Sequence, residues 1–126
     1  MIFIIDDSPT DIELTTIALE ETGREIRVSS APDGKSALAL LRNGMMPSLI
    51  LLDLKMPGMS GIEVLRAIRA DDRLREIPVV VFTSSSLESD REEALVAGAS
   101  DYLEKSLSLY QISKDLASVL NRWLTD

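Results

Sequence analysis

The sequence predicts an α/β fold in which a parallel five-stranded sheet carries helices on both faces. Short apolar runs alternate along the chain with segments of helical pattern, in the order βαβαβαβαβα. This order is typical of a parallel sheet with right-handed crossovers. The runs Leu49–Leu52 and 79–82 are apolar throughout, as expected of strands covered on both faces. A length of 126 residues fits one domain.

Each predicted strand is a short apolar run. The first run stops at Asp6, and the third stops at Asp53. The fifth run is weaker than the others. The five predicted strands are Ile2–Ile5, 26–28, Leu49–Leu52, 79–82 and 101–103.

The first two intervening segments carry helix start and stop signals. Ser8 can cap the first helix, with Pro9 at its first position, and Gly23 can end it. Asp33 can cap the second helix, which is expected to end at Gly44.

The last three helices are also marked in the sequence. Residues 60–63 and 85–88 both have the form of a capping box, and the second of these helices is expected to end at Gly98. The final helix should bury one apolar stripe against the sheet. That stripe consists of Ile112, Leu116, Val119, Leu120 and Trp123.

The composition restricts the possible functions. The net charge is -8, so the surface should repel the phosphates of nucleic acids and anionic membranes. The chain has no Cys and no His, which excludes disulfides, thiolate metal sites and a phosphohistidine in this chain. The apolar start is too short for a signal peptide, so a cytoplasmic location is expected.

Several polar residues follow predicted strands at the carboxyl edge of the sheet. Asp6 and Asp7 follow the first strand, and Asp53 follows the third. In the doubly wound order 2-1-3-4-5 these strands are neighbours, at the point where ligands bind. Three carboxylates there repel one another unless a proton or cation joins them, and hard oxygen ligands suit Mg²⁺. Thr83 and Lys105 end the fourth and fifth strands on the same edge.

Each of these residues also has an ordinary structural interpretation. Asp6 or Asp7 alone could cap a helix, and Asp53 alone could belong to a turn. Thr83 could be a strand-end hydroxyl, and Lys105 a solvated surface lysine. Their joint position at one edge favours a site for phosphoryl transfer, because a metal and an ammonium group around a carboxylate can stabilise the transferring charge.

Four stretches of the chain carry a specific combination of motifs. They are Ile4-Ile5-Asp6-Asp7-Ser8, Leu51-Leu52-Asp53-Leu54-Lys55-Met56-Pro57-Gly58-Met59-Ser60-Gly61, Val80-Val81-Phe82-Thr83-Ser84 and Gly98-Ala99-Ser100-Asp101-Tyr102-Leu103-Glu104-Lys105. Together they resemble the receiver domains of bacterial two-component response regulators. The resemblance implies a flavodoxin-like, doubly wound sheet of order 2-1-3-4-5 with five helices. We expect one receiver domain over residues 1–126 and no output domain.

The resemblance implies a role for each acid. Asp53 would be the phosphoacceptor. Asp7 and Asp53, with the backbone carbonyl of Lys55, would bind Mg²⁺ directly, and Asp6 would act through water. Lys55 would also cover the phosphoryl group, while Ser85 offers no group to orient an attacking water, so self-dephosphorylation should be slow.

The resemblance also implies a switch. Lys105 and Thr83 would each contact a phosphoryl oxygen, and Tyr102 would then move inward. The signal would be presented on the fourth helix, fifth strand and fifth helix to a downstream protein. The phosphoryl donor would be a sensor histidine kinase or a histidine phosphotransfer protein, and the chain would be a monomer or a phosphorylation-linked dimer.

Other functions remain open at this point. A phosphatase with an aspartyl nucleophile would need two acids with one residue between them after the first strand, whereas Asp6 and Asp7 are adjacent. An FMN carrier would need a loop rich in Ser, Thr and Gly after the first strand. A degenerate receiver used as a scaffold would not need the complete acid set. We therefore expect a binding module that catalyses only its own phosphorylation and dephosphorylation.

The bond after Lys105 departs from the family pattern. Receiver domains usually have proline at this place, often after a cis bond, and this chain has Ser106. To keep the lysine in its family position, we expect a cis Lys105–Ser106 peptide, although such a bond costs about 2.5–4 kcal/mol without proline.

Overall fold

Five strands and five helices alternate along the chain in the computed structural model, which describes residues 1–124. The strands form one parallel sheet in the order β2-β1-β3-β4-β5, which confirms the predicted fold. The strands are β1 (Ile2–Ile5), β2 (Val28–Ala31), β3 (Leu49–Leu52), β4 (Val79–Thr83) and β5 (Asp101–Glu104). The helices are α1 (Pro9–Glu20), α2 (Gly34–Arg42), α3 (Gly61–Ala70), α4 (Glu88–Ala97) and α5 (Leu109–Trp123).

The two faces of the sheet bury separate apolar clusters. Successive side chains of a strand point to opposite faces. Phe3 and Ile5 of β1 therefore pack with residues of α2 and α3, whereas Ile2 and Ile4 pack with residues of α1 and α5. All four residues of β1 are buried, as are all four of β3. This two-sided burial explains why the central strands are apolar throughout.

The register of the central strands aligns the residues that follow them. Ile5 pairs with Leu52 across β1 and β3, so Asp6 and Asp53 leave the sheet side by side. Thr83 pairs with Glu104 across β4 and β5, which places Lys105 directly after the paired segment. The sheet therefore delivers the predicted polar residues to one edge.

Three of the predicted helix caps are confirmed. The side chains of Ser8, Asp33 and Ser60 accept hydrogen bonds from backbone N–H groups in the first turns of α1, α2 and α3. The apolar stripe of α5 is also confirmed. Four of its residues are buried in the apolar cluster that also contains residues of α1, namely Ile112, Leu116, Val119 and Leu120. Trp123 packs against the same cluster and is partly exposed.

The start of α4 differs from the prediction. Residues 85–88 do not form a capping box, because the N-cap position is Leu87 and no side chain caps the helix. Ser85 instead donates a hydrogen bond to Asp90 in the first turn, at 2.5 Å, and accepts one from Leu87 N at 3.3 Å. The serine thus lies before the helix and contacts it from the loop.

The second strand was also predicted in the wrong place. Residues 26–28 were expected, but β2 covers Val28–Ala31. Ile26 does pack against the apolar core, but β2 is an edge strand, and its limits follow the backbone pairing with β1. That pairing runs from Val28 opposite Ile2 to Ala31 opposite Ile5. The apolar pattern identified Ile26, whose side chain is partly buried against the core. It did not identify the residues whose backbone pairs with β1.

No helix within residues 1–124 combines the length and the apolar character needed to cross a membrane.

Gly61 should be intolerant of a side chain, because α3 begins against the backbone that carries Asp53. A Cβ atom at Gly61 would overlap the Asp53 carbonyl oxygen and lie 2.7 Å from Leu54 Cα. We expect Gly61→Ala to lower the free energy of unfolding by about 1–3 kcal/mol, as overpacking does. Urea denaturation measures this change.

The control is Ser118→Ala on the exposed side of α5, which should change stability by no more than about 0.5 kcal/mol. Equal unfolding midpoints for Gly61→Ala and this control would show that the close approach is not a constraint.

Candidate functional site

Three carboxylates converge at the carboxyl edge of the sheet, as the sequence predicted. Carboxylate oxygens of Asp6, Asp7 and Asp53 all lie within 4.8 Å of one another. Asp6 and Asp53 are buried, with 3% and 8% of their surfaces exposed, whereas Asp7 is exposed. The group therefore has a fixed, buried side and an accessible side.

Backbone hydrogen bonds hold the two buried acids. Asp6 N donates to Ala31 O at 3.1 Å, and Asp53 N donates to Ile5 O at 3.0 Å, so both residues continue the sheet pairing. Each carboxylate then accepts from the backbone N–H two residues later. Ser8 N donates to Asp6 Oδ1 at 3.0 Å, and Lys55 N donates to Asp53 Oδ1 at 3.2 Å. Backbone geometry therefore sets the directions of both carboxylates.

The ammonium group of Lys105 lies among these acids. Its Nζ donates to Asp6 Oδ2 at 2.7 Å and to Asp53 Oδ2 at 3.2 Å. Only 11% of the lysine side chain is exposed. Burial alone would lower the pKa of Lys105, but the hydrogen bonds to Asp6 and Asp11 and the charge of Asp53 outweigh it and raise that pKa above its ordinary value. The lysine is therefore a permanent cation at this site.

The expected cis bond after Lys105 is wrong, because residues 1–124 contain no cis peptide. β5 continues to Glu104, and Lys105 N donates to Thr83 O at 2.7 Å, so the lysine leaves the sheet in line with β4. Its long side chain then reaches Asp53 without a reversal of the backbone. Ser106 accepts a hydrogen bond from Ser108 N at 3.1 Å, in the turn that leads into α5.

Asp11, an acid in the first turn of α1, is a member of the site that the sequence analysis did not assign to it. Its Oδ2 accepts from Lys105 Nζ at 2.9 Å. α1 starts directly after β1, so its first turn lies over the same sheet edge. The sequence offered one signal for this contact. Pro9 follows Asp7 by only two residues, so the first turn of α1 has to lie next to the acids at the end of β1.

Negative charge exceeds positive charge in this crevice. Three carboxylates, those of Asp6, Asp11 and Asp53, contact the Lys105 ammonium group. A fourth carboxylate, that of Asp7, has an oxygen within 4.8 Å of those of Asp6 and Asp53. Burial raises the pKa of Asp6, and the hydrogen bonds from Lys105 and Ser8 only partly offset that effect. A divalent cation would relieve the repulsion, and carboxylate oxygens are the donors that Mg²⁺ and Mn²⁺ prefer.

Thr83 and Tyr102 are linked through Ser85 on the side of the site next to α4. Thr83 is fully buried, and its Oγ1 accepts from Ser85 N at 3.5 Å. The Tyr102 hydroxyl donates to Ser85 O at 3.1 Å. Tyr102 is itself buried, packs with Leu54 and Ala94, and has its pKa raised by this burial. Its ring therefore already lies inward in this structure.

Lys55 points toward α4. Its Nζ lies 3.3 Å from Asp90 Oδ2, although its backbone N–H contacts Asp53. The hydrogen bond from Ser85 and the neighbouring Lys55 ammonium hold the pKa of Asp90 below its ordinary value. Sequence reasoning identified Lys55 and Ser85 but missed Asp90, because their contact depends on the tertiary placement of α4.

Comparisons with known proteins agree with this geometry. The family model "Response regulator receiver domain" matches residues 2–117. The chemotaxis protein CheY of Pseudomonas aeruginosa is 33% identical over 121 residues, which cover 96% of this chain and 96% of that protein. The chain spans 83% of the length of one further curated relative and 23% of another.

Two solved structures share the whole architecture. The phosphorylated cyanobacterial phytochrome response regulator RcpA has a TM-score of 0.89 and 35% identity, covering 98% of this chain and 93% of that one. The receiver domain of the sensor histidine kinase PA1611 from Pseudomonas aeruginosa PAO1 has a TM-score of 0.81 and 30% identity, covering 97% and 94%. The latter was solved with a magnesium ion coordinated in its active site cleft.

Proposed function

Because this chain belongs to the response regulator receiver domain family of two-component signal transduction, we propose that it accepts a phosphoryl group on Asp53. The donor is the phosphohistidine of a sensor histidine kinase or of a histidine phosphotransfer protein. The observation that carries the proposal is the position of Asp53. Its carboxylate lies between the Lys105 ammonium at 3.2 Å and two further acids within 4.8 Å.

The transfer uses the carboxylate of Asp53 as the nucleophile. One of its oxygens attacks the phosphorus, the P–N bond of the phosphohistidine breaks, and the electron pair returns to the imidazole nitrogen. An acyl phosphate on Asp53 results. Lys105 donates to the same carboxylate, so its charge is placed to stabilise the negative charge of the incoming group. Hydrolysis reverses the modification and restores the carboxylate.

The acids fit a divalent metal ion of the kind that a receiver domain uses. Asp7 and Asp53, with the backbone carbonyl of Lys55, would hold Mg²⁺ directly, and Asp6 would act through water. Bound Mg²⁺ would supply charge that neutralises the transferring phosphoryl group. The surroundings support this division, because Asp6 already accepts from Ser8 and Lys105 whereas Asp7 is exposed.

The output of the domain is proposed to pass through Thr83 and Tyr102 to the face formed by α4, β5 and α5, where a downstream protein binds. Two hydrogen bonds support this route, since Ser85 accepts from Tyr102 and donates to Thr83. A phosphoryl oxygen that draws Thr83 inward would therefore move Ser85 and the contact of Tyr102. The chemistry of the domain on this proposal is limited to its own phosphorylation and dephosphorylation.

We expect acetyl phosphate with Mg²⁺ to add one labile phosphoryl group, and Asp53→Asn to abolish the addition because the amide is not a nucleophile. Intact-protein mass spectrometry measures the added mass. Asp72→Asn, at a side chain that is 90% exposed, is the control and should be labelled like the wild type. Labelling of Asp53→Asn at the wild-type rate would refute the assignment.

Metal affinity should depend more on Asp7 than on Asp6. Calorimetric titration with MgCl₂ is expected to show a loss of about 10–100-fold for Asp7→Ala. Asp6→Ala should show a smaller loss, because that residue acts through water. An Asp7→Ala protein that binds Mg²⁺ like the wild type would contradict the proposed ligand set.

Activation should be visible at Tyr102. With beryllofluoride as the phosphoryl mimic, we expect amide chemical-shift changes in solution NMR to extend from the acid loops to Tyr102 and Ser85. Asp53→Asn under the same conditions serves as the control and should show none of them. Changes confined to the loops after β1 and β3 would mean that no such route exists.

A further inference from the structure

Lys55 occupies a position between the acceptor and α4. It lies two residues after Asp53, and its N–H donates to Asp53 Oδ1 at 3.2 Å. Its ammonium, however, pairs with Asp90 in the first turn of α4 at 3.3 Å. The ammonium group on Asp53 is that of Lys105. The backbone of Lys55 therefore contacts Asp53, whereas its ammonium group contacts Asp90 of α4.

Asp90 is held in place for this contact. Ser85 Oγ donates to Asp90 Oδ2 at 2.5 Å, and the same oxygen accepts from Leu87 N at 3.3 Å. The carboxylate is thereby fixed between the β4–α4 loop and the Lys55 side chain, with 21% of its side chain exposed. Asp90 is therefore an oriented anion and not a freely rotating surface acid.

A phosphoryl group on Asp53 would compete with Asp90 for the same cation. A phosphoryl group brings about 1.5–2 negative charges and three acceptor oxygens. It would be attached two residues from Lys55, whose flexible side chain is 62% exposed and can change partners. The ammonium group would then exchange between two contacts, one with the carboxylate of Asp90 and one with the phosphoryl oxygens.

We propose that Asp90 is a positioning residue that draws Lys55 away from the phosphoryl group on Asp53 and so shortens the lifetime of that group. The inference rests on the proposed function of Asp53 as phosphoacceptor. In hydrolysis, a water oxygen attacks the phosphorus, the bond from phosphorus to the Asp53 oxygen breaks, and the water proton leaves to solvent. Lys55 covers the path of that water when it contacts the phosphoryl oxygens, and it leaves the path open when it pairs with Asp90.

The effect should be modest because the pair is partly exposed. Exposed ion pairs have strengths that correspond to about 1.4- to 5-fold in an equilibrium. We therefore expect Asp90→Asn to slow the loss of the phosphoryl group by about 1.4- to 5-fold. Asparagine keeps an oxygen that can accept from Ser85 but removes the charge that attracts Lys55, and Asp90→Glu, which restores that charge, should decay like the wild type.

The test follows phosphoryl decay after labelling with acetyl phosphate and removal of the excess reagent. Glu92→Gln removes an exposed charge from the same helix and is the matched control, with decay expected at the wild-type rate. Lys55→Ala should decay faster than the wild type. In the double variant Lys55→Ala, Asp90→Asn, the asparagine should have no further effect, because a residue that acts only through Lys55 loses its influence when the ammonium group is absent.

The outcomes separate this inference from the proposed function. If the wild type takes no phosphoryl group on Asp53, the assignment of Asp53 as the phosphoacceptor is wrong, and the inference about Asp90 is wrong with it. If labelling occurs but Asp90→Asn decays like Glu92→Gln, the inference alone is overturned. It is also overturned if Asp90→Asn slows decay equally with and without Lys55, because the carboxylate would then act independently of the lysine.

Discussion

One buried ammonium group, that of Lys105, contacts carboxylates from three different elements. Asp6 follows β1, Asp11 belongs to α1 and Asp53 follows β3. Without this cation, the two buried carboxylates would face each other in a poorly solvated crevice, and leaving a buried charge unpaired typically costs about 3–5 kcal/mol. The lysine therefore allows the acids to lie close enough to act together, and it leaves a surplus of negative charge that a metal ion can balance.

The sheet makes this meeting possible. β1 and β3 pair without an offset between Ile5 and Leu52, so the acids that follow them leave at the same level. Gly61 lets α3 start against the backbone of Asp53, which keeps that residue buried from one side. Because a packed interior tolerates little displacement, Asp53 is held by its surroundings before any ligand binds.

The site is connected to the rest of the domain through side chains outside the crevice. Lys55 reaches Asp90 on α4, and Ser85 contacts both Asp90 and Tyr102. A change of charge at Asp53 can therefore affect α4 and β5 through contacts of only a few residues. Since the ion pair of Lys55 and Asp90 is partly exposed and such pairs are individually weak, it can exchange partners without disturbing the buried clusters on the two faces of the sheet.

The sequence alone determined the α/β class, the helix caps at Ser8, Asp33 and Ser60, and the acids at the strand ends, because apolar runs, caps and strand-end residues are local features. The tertiary structure decided the limits of β2, the start of α4, and the places of Asp11 and Asp90 in the site. It also replaced the expected cis bond with a trans one. The limits of β2 and the places of Asp11 and Asp90 depend on contacts between residues far apart in the chain, such as Lys105 with Asp11, and no local pattern encodes which distant partner will be in reach.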